Sequence, residues 1–408
     1  MFGYRNDLTR PAPIEQYHAD YSILCDIANK IEAKVDPYEA ARVAVRLAEK
    51  YLKKGQLHPE MSVISTSSFE DGVVGHHQMR GLERNVVNGV ERTPNFSITC
   101  CTPNCTEVAI KRSHVVQRNK ILSTIVDGSN TVLQIKIHPD EDTDFVRKIG
   151  WKDASTFPGF CRDCESKQFS SAEHEDAPVN RDTVGKLLWR AMCFTRYRRA
   201  IEIQKRAEIV SKTHAYDVAK SLDQPLIPFN SALILKTRIS AFRTMDRLTE
   251  TFERGRYGLS GRFGYLVLEL ENAPFVGAGF IPVYYDLNRN LLASPTKFIS
   301  SDNYISFTSF CSAGKQYLIF GYDKVHKSSV KLVKQLAELD PHLFSAFLPQ
   351  LVIANSDTVY LSPTWWELEA DELDKHIVKH SSFMNFAHMV FPWWGPIKGV
   401  NIVNVFHL

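Results

Sequence analysis

Two cysteine pairs and one histidine carry the spacing in this chain that has a chemical meaning. The pairs are Cys101/Cys105 and Cys161/Cys164, and between them lies the dipeptide Ser113-His114. Turn residues surround each pair, with Thr-Pro-Asn inside the first and Pro158 and Gly159 just before the second. Turns of that kind aim two thiolates at one point, and four thiolates make a closed tetrahedral zinc site. The long gap from Thr106 to Phe160 has room for a strand, a loop and a second strand. A metal there would be a staple around something else, and His114 is the evident candidate. Disulfides are the rival pairing. However, the N-terminal MFGYRNDLTRPAP is charged and lacks the apolar core of a signal peptide, which points to a reducing, cytoplasmic setting. Cys25, Cys193 and Cys311 stand alone and read as small buried hydrophobes.

On these residues, the stretch 96–175 resembles a zinc-containing HNH endonuclease domain, one branch of the His-Me finger fold. In that family a Cys pair precedes a strand ending in a catalytic His, and a second Cys pair opens a helix. This chain has Cys101/Cys105, then Ser113-His114, then Cys161-Arg-Asp-Cys164-Glu-Ser-Lys167. It is also similar to a group of bacterial proteins through Ser113-His114-x-x-Gln117, Ala154 to Cys161, Phe169 with Glu173, and Ser362 to Trp366. The resemblance implies phosphodiester cleavage, with DNA as the favoured substrate and host defence as the setting. His114 would be the general base for water, since a neutral imidazole suits that task near neutral pH. Glu165, at the family's Asn/Asp position on the helix, would help hold a catalytic Mg²⁺ or Mn²⁺. Structural Zn²⁺ would sit on Cys101, Cys105, Cys161 and Cys164. Two residues depart from the pattern. Ser113 stands where many such sites have a metal-binding acid or histidine, and Glu165 is longer than the usual acid. The competing expectation is therefore a non-catalytic, zinc-stabilised nucleic-acid- or protein-binding subunit, within a larger complex or a homo-oligomer.

Charge distribution bears on the nucleic-acid expectation. The whole chain of 408 residues carries only +3, but Arg181 to Arg256 holds 16 Lys/Arg against 8 Asp/Glu. Much of that excess falls on a helix expected from Thr183 to about Thr213, with Asp182 as its N-cap. Arg190 and Arg198 on that helix, with Lys111, Arg112, Arg118 and Lys167 around the histidine, are the candidate phosphate contacts. The plain alternative is a solvated helix with long cationic side chains.

The elements that must position these residues follow from periodicity and punctuation. With 44% apolar residues the chain is globular and long enough for several domains. The expected class is α+β, in four parts: N-terminal helices in 1–95, with a linker near Asn88–Pro94; the zinc-bearing ββα domain in 96–178; a basic helical segment in 179–258; and a mixed α+β sheet module in 259–408. Asp36-Pro37-Tyr38-Glu39 joins an N-cap, a proline at N1 and a capping acid. Strands are expected at Thr131–Ile137, Tyr265–Leu270, Phe280–Tyr285, Tyr304–Thr308 and Tyr317–Tyr322. Helices are expected near Asn230–Glu253, Ser328–Leu339 and Leu343–Leu351. Trp365-Trp366 and Phe391-Pro-Trp-Trp394 read as packing anchors before base-stacking platforms. No run approaches the roughly 18 apolar residues of a membrane span. There is no phosphate-binding glycine loop, dinucleotide fingerprint or nucleophile elbow in the sequence.

Overall fold

The structure is a computed structural model of the chain. It describes residues 14–31, 36–57, 98–117, 119–135, 145–215, 226–254, 261–288, 290–292, 303–384, 397 and 399–408. Arg118, the linker expected near Asn88–Pro94 and the aromatic run Phe391–Trp394 lie outside those residues. Two compact units divide the chain: Met1–Ile98 with Arg196–Asp246 and Pro295–Ser300, and Thr99–Thr195 with Arg247–Ser294 and Ser301–Leu408.

The first unit is helical. Helix α1 (Ile14–Lys30) and α2 (Pro37–Lys53) are the two helices expected there. Asp36 caps α2 by accepting from the Tyr38 and Glu39 N–H groups at 2.8 and 3.3 Å. Ala40, Ala44 and Ala48 of α2 are buried at helical spacing. Two long helices, α4 (Arg181–Ala215) and α5 (Leu226–Arg254), contribute residues to both units. The domain lines expected at 178 and 258 therefore do not coincide with the unit boundaries. Within the first unit, Asp246 of α5 binds Arg42 at 3.1 Å, and Lys236 makes a buried pair with Asp20 at 2.8 Å. Asn180, not Asp182, caps α4: its Oδ1 accepts the Thr183 N–H at 3.0 Å, while Asp182 pairs with Lys186 at 2.6 Å.

The second unit is built on an eight-stranded sheet. Its strands are β2 (Thr131–Ile135), β3 (Val146–Gly150), β5 (Phe263–Glu271), β6 (Phe275–Pro282), β7 (Tyr304–Ser312), β8 (Lys315–Asp323), β9 (Ser356–Leu361) and β10 (Asn401–His407). They pair antiparallel in the order β10-β5-β8-β7-β6-β9-β2-β3. The central strands read as continuous apolar runs because both faces are covered. Leu266, Leu268 and Leu270 of β5 share a core with Leu332 and Leu336 of α6 (Lys327–Ala337) and Leu348 and Leu351 of α7 (Pro341–Asn355). Tyr265 and Val267, of the opposite parity, are just as buried. On that other face a Cβ at Gly321 would lie 2.6 Å from Leu188 of α4, so the glycine lets the helix approach the sheet.

Strands β2 and β3 come from the cysteine-bearing segment yet extend this same sheet, through pairing of Leu133 and Gln134 with Leu361 and Tyr360 of β9. The strand expected at Phe280–Tyr285 instead spans Phe275–Pro282. Trp365 is buried, and Trp366 meets Phe145 edge-on at 5.4 Å, so this pair anchors packing. The α+β class expected from the sequence is the class the chain adopts. Among the described residues no helix is long and apolar enough to cross a membrane.

Candidate metal centre

The two cysteine knuckles are built by backbone. Thr99 bridges Val108, the Cys100 N–H donates to the Glu107 carbonyl at 2.9 Å, and Asn104 takes the left-handed turn at φ 62° between them. In the second knuckle Cys161 is the N-cap of helix α3 (Arg162–Phe169), its sulfur accepting the Cys164 N–H at 3.4 Å. The knuckles are zipped together by Cys101 N–H to Gly159 O and Ile110 N–H to Phe160 O, both 2.7 Å. A Cβ at Gly159 would sit 2.4 Å from the Phe157 ring, so only glycine fits there.

Four sulfurs converge: those of Cys100, Cys105, Cys161 and Cys164 all lie within 4.8 Å of one another. The Cys105 and Cys161 sulfurs are 3.8 Å apart, the edge of a tetrahedron whose corners stand about 2.3 Å from a central zinc. No cysteine of the chain is in a disulfide. Burial raises the Cys100 thiol and takes Cys164 up to about 12, with the neighbouring sulfurs adding to the latter. Burial acts the same way on Cys161, but the Cys164 N–H and the adjoining thiols outweigh it and hold Cys161 below its ordinary value. Bound zinc would displace the protons of the raised Cys100 and Cys164 thiols, and four soft donors suit that ion. The residues present fit that ion.

One expected ligand is corrected. The fourth sulfur belongs to Cys100, not Cys101. Cys100 accepts N–H groups from Thr102 at 3.5 Å and from Cys161 at 3.3 Å, bonds that favour a thiolate. Were Cys101 the ligand, the donor two residues on would be Pro103, which has no N–H.

The histidine stands on the edge of this centre. Strand β1 (Ser113–His114) pairs antiparallel with β4 (Thr156–Phe157), His114 opposite Thr156, and α3 follows directly. His114 Nδ1 is 3.1 Å from the Ala154 carbonyl. A carbonyl can only accept, so Nδ1 carries a proton and donates this bond. The ring is half-buried. Ser155, at φ 58°, turns the chain that presents this carbonyl, and its N–H donates to the Tyr360 hydroxyl. Gln117 ties the same finger to its surroundings, donating to Ala172 O at 2.8 Å and accepting from Cys311 N–H at 3.1 Å. Ser113 is buried and accepts the Phe160 N–H at 3.2 Å.

Behind the histidine lies a guanidinium. Arg190 of α4 is fully buried, and its Nη1 donates to the His114 carbonyl at 3.0 Å and to Glu173 Oε1 at 2.8 Å. Its Nη2 is 3.5 Å from Glu165 Oε1. The guanidinium also lies over the Phe169 ring, 3.9 Å from the centroid, within a cluster of Phe157, Phe160, Phe169 and Trp189. Burial pushes the Glu165 carboxyl up and the Glu173 charge adds to this, against the lowering effect of Arg190 and the Ser113 hydroxyl. Arg190, expected as a phosphate contact, is thus an interior ion-pair partner, because no solvent reaches it. Glu165, expected on a catalytic cation, already faces a fixed positive charge, and a dication beside that guanidinium would be repelled. The residues present do not fit Mg²⁺ or Mn²⁺ at Glu165.

The remaining expected contacts are dispersed. Lys111 and Lys167 are exposed, and Arg112 is exposed while bound to Asp153 at 3.0 Å. Arg198 is exposed and belongs to the other compact unit. Glu173, which the sequence offers through its spacing from Phe169, is paired with Arg190 at 2.8 Å. No protein-family model, curated protein or solved structure matches this chain.

Proposed function

We propose that this protein is a zinc-stapled phosphodiesterase acting on nucleic acid, DNA before RNA, with His114 as the general base. One observation carries the reading: a histidine whose Nδ1 is fixed on a backbone carbonyl, on a two-stranded ladder that runs straight into a helix opened by two of the four convergent cysteines. Zinc on Cys100, Cys105, Cys161 and Cys164 would supply the scaffold and no chemistry, since a four-sulfur site leaves no open position. In the reaction, Nε2 takes a proton from water, the oxygen forms a bond to phosphorus, and the bond to the leaving sugar oxygen breaks as that oxygen takes up a proton from solvent. The exposed ammonium groups of Lys111 and Lys167 favour the approach of a phosphate backbone. Reduced thiolates fit a bacterial cytoplasm, and host defence is the setting that the family resemblance suggests.

The test is cleavage of supercoiled plasmid and single-stranded DNA by the purified chain and by His114→Ala. The substitution should cost about 10²–10⁴-fold in rate with zinc content unchanged. Cleavage that survives it contradicts the assignment. The second reading, a non-catalytic zinc-stabilised binding subunit of a larger complex, is favoured by the buried Arg190 that neutralises Glu165 and Glu173. Nucleic-acid binding without cleavage in the same assay would select it.

A further inference from the structure

The carboxylates of Glu165 and Glu173 would suggest a divalent-cation pair if read from sequence alone. The side chains around them argue otherwise. Arg190 enters between them from α4, with no solvent exposure, and reaches both: 3.5 Å to Glu165 Oε1 and 2.8 Å to Glu173 Oε1. Two further contacts fix where the guanidinium sits. The His114 carbonyl accepts from Nη1 at 3.0 Å, and the Phe169 ring lies 3.9 Å beneath. Glu165 Oε2 is buried and makes no hydrogen bond. A buried carboxylate in that state depends on a neighbouring positive charge to remain tolerable. The planar fork of an arginine holds its donors in a fixed geometry, so that Nη1 donates to Glu173 and to the His114 carbonyl while Nη2 stays at ion-pair distance from Glu165.

We propose that Arg190 is the resident cation of this site, a guanidinium in the place where a divalent ion would otherwise stand, with Glu165 and Glu173 as its counter-charges and the His114 main chain as its anchor. Glu165 is then a structural counter-ion, and Arg190 a positioning residue that acts on the imidazole through the backbone carrying it. The inference does not depend on phosphodiester cleavage, and its test reads ion binding rather than turnover.

The experiment is titration of the zinc-loaded full chain with Mn²⁺, followed by the EPR signal of the free ion, for wild type, Glu165→Gln and Arg190→Met. Zinc content and circular dichroism are recorded for each. Wild type and Glu165→Gln should take up Mn²⁺ identically, because no ion uses that carboxylate. A stoichiometric wild-type site that Glu165→Gln weakens by about tenfold or more would overturn the proposal. In Arg190→Met the two carboxylates lose their counter-charge, and Mn²⁺ affinity should rise by about tenfold or more, reversed by adding Glu173→Gln. A folded, zinc-retaining Arg190→Met with no gain would also overturn it. Should that variant fail to fold, the wild-type and Glu165→Gln comparison decides alone.

Discussion

Cys100, and not its neighbour Cys101, completes the four-sulfur cluster. Cys100 and Cys101 are adjacent, and either forms an acceptable knuckle with Cys105 on spacing alone. The discriminating fact is which sulfur receives the backbone N–H two residues on: Thr102 has one, and Pro103 has none. That signal was present in the sequence, whereas the choice between counter-ion and metal ligand at Glu165 was not. It needed Arg190, which is remote in the chain and reads as an ordinary surface cation on a basic helix. His114 was legible from its place between the knuckles, but the carbonyl that fixes its tautomer comes from Ala154, which carries no chemical signal. Cys100→Ser is expected to lower zinc affinity by about tenfold or more, while Cys101→Ser retains a full complement. Metal analysis of the two purified variants after dialysis checks this, and equal loss in both would reject the ligand assignment.

Elements with strong local chemistry were legible in the sequence. Asp36-Pro37 opens α2 as expected, whereas α7 starts ahead of the expected Leu343, at Asp340-Pro341, with Asp340 accepting from His342 and Leu343. Strand β6 was displaced in the reading because Gly277 and Gly279 weaken the local strand signal. Gly277 is there for a tertiary reason: a Cβ would meet Ser356 Oγ and Thr358 O at 3.1 Å. The turn into β2 shows how such elements respond to pH. Asp127 accepts from Ser129 N, Ser129 Oγ, Thr131 N and Thr131 Oγ1 at 2.8–3.0 Å. What burial it has would raise its carboxyl, but these bonds outweigh it and bring the pKa down to about 2. A depressed acid stabilises the fold above its unfolded value near 4 and loses that contribution as pH falls. Asp127→Asn should therefore lower the melting temperature at neutral pH, with the gap closing between about pH 4 and about pH 2. A gap that stayed constant across that range would contradict the clamp.

At the scale of the molecule, the cysteine-bearing segment is part of a larger sheet. Leu133 and Ile135 of β2 lie in the same core as Phe275, Leu361 and Trp365. The sequence could not reveal this, because strand partners distant in the chain leave no local trace, and the segment reads as a self-contained finger. Excising residues 96–178 would strip β2 of that core, so any test of the metal site belongs on the full chain. The basic excess on α4 and α5 was likewise visible as composition, but not as structure. Asp246 of α5, for example, pairs with Arg196 of α4 at 3.5 Å. Everything at the candidate site hangs from the four sulfurs, and the most direct measurement is zinc K-edge X-ray absorption on the purified 408-residue chain. The expected spectrum is four sulfur neighbours at about 2.3 Å and no nitrogen or oxygen. A first shell containing nitrogen or oxygen, or a protein that binds no zinc, would contradict the tetrathiolate staple and the histidine site built around it.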